Sequence, residues 1–272
     1  MANNQETKEH YTYEELVQII ATLRGENGCP WDREQTHETV KFAAVEEAYE
    51  LMEAINNKDD KNMAEELGDL LLQVLFHGQI ASEIGSFSMA DVIDGIAQKL
   101  VFRHPHVFGS VEVENSGEVS VNWDELKIQE KNIQSVSEDL KQVPKSLPAL
   151  IRSKKIQKKA AKVGYEFKDV KQVLNKVVEE LDELKDAIDQ RDEQGISEEF
   201  GDLLFTMVNL SRFLDLNPEI SLTNSLEKFI NRFEGAEKRA KASNSELSEM
   251  TPSELDELWL TIKETNSRES DC

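Results

Sequence analysis

The chain has 272 residues, enough for one large domain or two of ordinary size, and its 31 Lys and Arg face 54 Asp and Glu, a formal net charge of −23. That balance excludes a sequence-independent nucleic-acid binder, whose affinity comes from basic groups displacing counterions on phosphates. Runs such as 70–72 are far too short for a membrane span, so neither a nucleic-acid nor a membrane partner is expected.

The first fifteen residues are polar and acidic, with no apolar signal core, and two cysteines (Cys29 and Cys272) are too few for a disulfide framework; a cytoplasmic protein is expected. Cys29, in Gly-Cys-Pro-Trp, reads as a turn residue. Apolar residues at three- and four-residue spacing then predict helices over 35–56, 63–82 and 91–103. His37 and His77 stand alone in the sequence, and His104-Pro105-His106 reads as a helix stop. The stretch 110–121, SVEVENSGEVSV, alternates but is acidic and carries a central Asn-Ser-Gly, which predicts a mobile loop or marginal hairpin. A polar, two-proline linker is expected over 135–150, between an N-terminal unit at 1–134 and a C-terminal unit at 151–272. The basic run RSKKIQKKAAK (152–162) reads as a solvated helix face; further helices are predicted over 170–190, 197–214 and 223–242. The fold class is all-α, a tandem repeat of two helical bundles.

The repeat carries the chemistry. EEAYELMEAI (46–55) matches EELDELKDAI (179–188), and EELGDLL (65–71) matches EEFGDLL (198–204), both at an offset of 133 residues. Each copy holds two acidic pairs at i, i+3: Glu47/Glu50 and Glu66/Asp69, then Glu180/Glu183 and Glu199/Asp202. Three residues turn a helix by about 300°, so each pair projects from one face. An antiparallel helix pair would bring four carboxylates together, and only a cation relieves their repulsion. An all-oxygen anionic set suits Mg²⁺, with Mn²⁺ as a substitute; without a Glu-x-x-His pattern a di-iron site is disfavoured. Gly68 and Gly201, mid-helix inside Glu-x-Gly-Asp, suggest close helix approach or room for a ligand.

EExxE followed by ExxD, with the flanking strings GCPWDREQTH (28–37), RHPHVFG (103–109) and KVGYEF (162–167), resembles the MazG family of nucleoside triphosphate pyrophosphohydrolases over nearly the whole chain, including the tandem arrangement of its two-unit bacterial members. The resemblance implies an all-α homodimer that uses Mg²⁺ to hydrolyse (d)NTPs to (d)NMP and pyrophosphate, in nucleotide-pool cleansing or in stress and alarmone control. It makes Glu180, Glu183, Glu199 and Asp202 the metal ligands and catalytic set, with Glu47, Glu50, Glu66 and Asp69 as first-unit equivalents. It matches Lys228 and Arg232 to a triphosphate-contacting pair and Trp259 to a nucleotide contact, with Lys99, Arg103 and Trp123 as counterparts in the first unit. Lys176, one turn before Glu180, would reach a phosphate or the base, and Glu179 and Glu198 would support the ligands or position water. Ala43 takes the place of Lys176 in the first unit, which favours the second as the main catalytic one. The alternative from another class is a non-catalytic nucleotide-sensing or scaffolding helical protein.

Overall fold

The computed structural model describes residues 8–130, 133–243 and 245–269. The chain divides into two units, Met1–Glu130 and Lys131–Cys272, and the described residues outside loops are helical. Among the described residues no helix is long and apolar enough to cross a membrane.

The first unit opens with α1 (Tyr13–Arg24), which Thr12 and Glu15 start as a reciprocal capping box. Two short helices follow, α2 (Pro30–Glu34), with Cys29 at its N-cap, and α3 (His37–Val40). The helix expected over 35–56 is therefore interrupted. The backbone stays right-handed through Lys41 and Phe42, but α4 (Ala43–Asn57) starts anew. The break lets α3 bury Val40 against the core while α4 takes its own line along α5 (Asp60–Glu83). Lys58, at φ 55°, turns the chain between α4 and α5, and Asp59 caps α5 by accepting from the backbone N–H groups of Lys61 and Asn62. Ile20, Val40, Leu75, Phe76 and Ile80 form the core, with Leu16, Val17, Leu72 and Met89 packed on it.

Helix α6 (Met89–Arg103) packs on α5 where Gly78 has no side chain; a Cβ there would sit 2.2 Å from Met89 Sδ. Of the two readings of Gly68 and Gly201, close helix approach or room for a ligand, the open space around both agrees with the second, and the close approach occurs at Gly78 instead. Helix α7 (Pro105–Phe108) follows the stop at His104. Of the loop or hairpin expected over 110–121, residues 110–115 are irregular, and the reading is corrected over 116–121, which belong to α8 (Ser116–Glu130). Asn115, read as part of a turn, starts that helix: its Oδ1 accepts from Glu118 N at 3.1 Å, and the Glu118 carboxylate accepts from Glu114 N.

The second unit begins with α9 (Val136–Lys141), inside the segment expected as linker, and α9 packs on α10 (Ala149–Ala161). The basic run on α10 is partly used internally. Lys159 pairs with Asp139, and Lys154 Nζ donates to the Leu216 carbonyl at 2.7 Å. Helices α11 (Val170–Gln190) and α12 (Glu193–Phe213) repeat the α4–α5 hairpin, again with a left-handed residue, Arg191 at φ 56°, at the corner. Val173 and Val208 are fully buried between the helices of this unit. Helix α13 (Pro218–Ala242) packs on α10 and on α14 (Pro252–Glu269), burying Ala236, Ala240 and Ile262; a single 3₁₀ turn, Leu247–Glu249, lies between α13 and α14.

Candidate metal and nucleotide site

The hairpin geometry sets the site. In an antiparallel pair joined by a two-residue turn, residues equidistant from the turn face one another, so acids on α4 meet acids on α5, and acids on α11 meet acids on α12. Glu47, Glu66 and Asp69 each bring an oxygen within 4.8 Å of the others, and Glu180, Glu199 and Asp202 do the same. Three of the four expected carboxylates converge in each unit. The fourth, Glu50 or Glu183, lies beside the group on the exposed side, close enough to act on it electrostatically.

The charges in these clusters are uncomfortable. Desolvation pushes the Glu66 carboxyl above the usual carboxylate range, and Glu50, Asp69 and Glu47 push it further. Glu183 is likewise raised, first by desolvation and then by Glu180 and Glu199, while Lys176 opposes the shift. The donor set is anionic and all oxygen, and in each unit it includes a buried carboxylate, Glu66 or Glu180. Such a set fits a divalent cation, and a hard one before a soft one.

The two clusters differ in the side chains that donate to them: in the first, Gln73 Nε2 donates to Glu47 Oε1 at 3.3 Å, and in the second the donor is Lys176. Lys176 Nζ lies 2.8 Å from Glu179 Oε1 and 2.9 Å from Glu180 Oε1, and these hydrogen bonds hold the ammonium well above its ordinary pKa. Lys176, expected to reach toward substrate, is engaged with the acids of its own helix. Glu198 is exposed beside the group. A cavity of about 460 Å³ opens next to this cluster, lined by Phe167, Lys176, Glu180, Asp202, Phe205 and Asn209 among others. Phe167, Phe205 and Asn209 were missed from sequence. The signal was present: Phe205 and Asn209 follow Asp202 at i+3 and i+7, on one helix face, and Phe167 ends the quoted string KVGYEF. Asn209 Oδ1 is buried without a hydrogen-bond partner among the described residues.

The remaining expected residues stand on other helices. Lys228 is exposed on α13, and Arg232 is half-buried there with an unpartnered Nε. Trp259, on α14, packs against Phe229 with the rings tilted by 47° and their centroids 5.3 Å apart. None of the three lines the cavity among the described residues. In the first unit Arg103 pairs with Glu130 and lies 5.2 Å from the Trp123 ring, His104 packs edge-on to the same ring, and Lys99 is exposed. The structure therefore brings together the carboxylates and Lys176, but leaves Lys99, Arg103, Trp123, Lys228, Arg232 and Trp259 outside that grouping. His37 and His77, read as lone residues, are corrected: their Nδ1 atoms are 2.8 Å apart and their rings stack.

Residues 35–108 and 168–239 match the model of the MazG nucleotide pyrophosphohydrolase domain, and each match contains one carboxylate hairpin. The chain belongs to the MazG family. It is 46% identical over 251 residues to the nucleoside triphosphate pyrophosphohydrolase/pyrophosphatase MazG of Thermotoga maritima, covering 92% of this chain and 95% of that one. It is 41% identical over 251 residues to the nucleoside triphosphate pyrophosphohydrolase of Escherichia coli K12, covering 91% and 95%. A crystal structure of a mazG-related protein from Thermotoga maritima aligns at 30% identity with a TM-score of 0.37, over 42% of this chain and 97% of that one. The two matched MazG segments share the hairpin, the spacing of its acids and the left-handed corner, and differ at 43 and 176.

Proposed function

We propose that the protein is a Mg²⁺-dependent nucleoside triphosphate pyrophosphohydrolase that cleaves (d)NTPs at the α-phosphate to (d)NMP and pyrophosphate. The observation that carries this reading is the duplicated three-carboxylate group, closed within 4.8 Å on each hairpin of a MazG chain. Glu180, Glu199 and Asp202 would hold Mg²⁺ with Glu183 beside them, and Glu47, Glu66, Asp69 and Glu50 are their equivalents; Mn²⁺ would substitute. When bound, the ion supplies charge neutralisation and polarises the phosphate, which also lets a chain of charge −23 accept a polyanion.

The chain's own groups do the rest. Glu198, exposed beside the ligands, orients the attacking water, and Glu179 shares Lys176 with Glu180. Lys176 turns from Glu180 toward the phosphates. Phe167 and Phe205 give the cavity an apolar wall for the base, with the Asn209 amide to read its edge. The second unit is the main catalytic one because only it has this lysine.

A homodimer completes the reading. Leu174, Val178 and Leu181 on α11, Phe200, Leu204 and Met207 on α12, and Leu226, Phe229 and Ile230 on α13 are each at least 41% exposed at helical spacing, a large uncovered apolar surface for a monomer. A second copy would cover it and supply the route by which Lys228, Arg232 and Trp259 join the phosphates and base; Lys99, Arg103 and Trp123 would have the matching place in the first unit. We place the enzyme in the cytoplasm, with Cys29 as a free thiol.

The test is product analysis by ³¹P NMR with Mg²⁺ and each common NTP and dNTP. Nucleoside monophosphate and pyrophosphate are expected, Asp202→Ala should abolish them, and Asp69→Ala should spare most of the activity. A diphosphate plus orthophosphate, or full activity of Asp202→Ala, would refute the assignment; saturable binding without product would favour a sensor.

A further inference from the structure

Both hairpins present the same three-carboxylate group, and among the described residues it is the second that pairs with a lysine, Lys176. Lys176 Nζ sits 2.9 Å from Glu180 Oε1, and the Glu180 side chain is 7% exposed, so the ammonium is placed on the most buried carboxylate of the group. Lys176 itself is one-third exposed and lines the neighbouring cavity, so it has somewhere to go. At the equivalent place in the first unit Ala43 has no charge to offer, and the charged neighbours that act on Glu66 are Glu50, Asp69 and Glu47, all carboxylates.

An ammonium and a divalent ion cannot both sit comfortably on one carboxylate. A unit charge about 5 Å from a doubly charged ion weakens its binding by roughly tenfold even at the dielectric of water. The lysine therefore competes with the ion in the second unit, while in the first the side-chain donor to the group is the neutral Gln73 amide, at 3.3 Å from Glu47 Oε1, which brings no charge to oppose an ion. We infer that the first unit is a standing divalent-cation site that loads without nucleotide, whereas Lys176 keeps the second unit's site weak until a polyphosphate draws the ammonium away. The inference rests on the carboxylate groups being the ion sites, as proposed above. It gives the duplication a physical meaning: one hairpin is held together by a resident ion, and the other takes its ion together with the ligand that needs it.

The experiment is a Mn²⁺ titration of the full chain without nucleotide, with free Mn²⁺ read by electron paramagnetic resonance. The wild type should show a tight and a weak class of sites. Asp69→Asn should remove the tight class and Asp202→Asn the weak one. Lys176→Met should tighten the weak class by about tenfold, whereas Lys176→Arg should leave it weak. Ala43→Lys should weaken the tight class by a similar factor, and this variant carries the test should Lys176→Met fail to fold. If the Asp variants remove their own classes but neither Lys176→Met nor Ala43→Lys moves an affinity, the competition is refuted and the ion sites stand. The competition is equally refuted if Asp202→Asn removes the tight class. If both classes survive both Asp variants, the assignment of the ion sites falls, and this inference with it.

Discussion

Arg24 ties α1 and the α2–α3 segment of the first unit to the carboxylate hairpin, and Arg24→Met should loosen that unit in a measurable way. The Arg24 side chain is 4% exposed. Its Nε and Nη2 donate to the two oxygens of Glu83 at 2.9 and 2.7 Å, and Nη1 donates to the backbone carbonyls of Gln35, at 3.1 Å, and Asp32. The Phe76 ring lies 5.0 Å away. Methionine keeps the packing volume of the stem and removes every donor. Glu83, about one-third exposed, can turn to water, so its loss is small. The part-buried Gln35 carbonyl cannot, and its loss costs about 1–2 kcal/mol, whereas the Asp32 carbonyl keeps the Gln35 backbone N–H at 3.3 Å and loses less. The sum is about 2 kcal/mol, or about thirtyfold faster amide exchange in α1 and the second half of α5, measured by hydrogen–deuterium exchange with mass spectrometry. Arg24→Lys should recover little, because one ammonium cannot span a carboxylate and two carbonyls. A change below threefold in Arg24→Met would refute the clamp.

Three further outcomes follow from the same structure. Glu66 has a raised pKa, so in the ion-free protein its charge costs stability, and that cost grows as the pH rises from 4.5 through the raised value. Glu66→Gln should therefore raise the melting temperature in chelator and forfeit the stabilisation by Mg²⁺; a lowered melting temperature in chelator would contradict this. Burial, then the neighbouring His37, holds His77 below its ordinary 6.5, so the stability from this pair is full above that pH and declines as the pH falls through the depressed value. His77→Leu, the residue found at 210 in the second unit, should flatten the dependence of the urea midpoint between pH 8 and pH 5, and an unchanged slope would count against it. Leu71→Glu and Leu204→Glu, at matching exposed positions of the two hairpins, should reduce the mass found by light scattering from two chains to one if that unit forms the dimer; two chains in both variants would remove these faces from the interface.

Helix was legible wherever an amphipathic run was long. The second hairpin is the clearest case, with α11 expected and found over Val170–Gln190. Two signals were misread or passed over because a cap and a turn use the same residues. Asn115-Ser-Gly looked like a hairpin corner, but the Glu three residues after Asn115 completes a helix start. Thr12 and Glu15 carry the same pattern before α1, which was not anticipated. The pairing of His37 with His77 depends on how α3 is folded back on α5, which no local pattern encodes. Lys176 illustrates a different limit. Its i, i+4 relation to Glu180 was visible, but whether the ammonium points inward or toward a ligand depends on how many uncompensated charges await it, and that is settled only once Glu199 and Asp202 arrive from α12.

The spacing between the acids was the most reliable guide to the site because the corner enforces it. Glu47 and Glu66 are separated by 19 residues, as are Glu180 and Glu199. In both hairpins the corner residue, Lys58 or Arg191, adopts a left-handed conformation and its N–H bonds back to the last turn of the helix it ends. A residue added anywhere between the acids would rotate one pair by about 100° relative to the other, carrying it off the shared face. The left-handed corner is strained for lysine and arginine by about 1 kcal/mol or more. Both copies bear that strain and keep the count, while the apolar residues around the acids drift from Leu67 to Phe200 and from Tyr49 to Asp182. A helical scaffold that needed only to pack would tolerate the insertion and gain stability by replacing the repelling acids. Retention of count, corner and charge together is what an ion held between two helices requires.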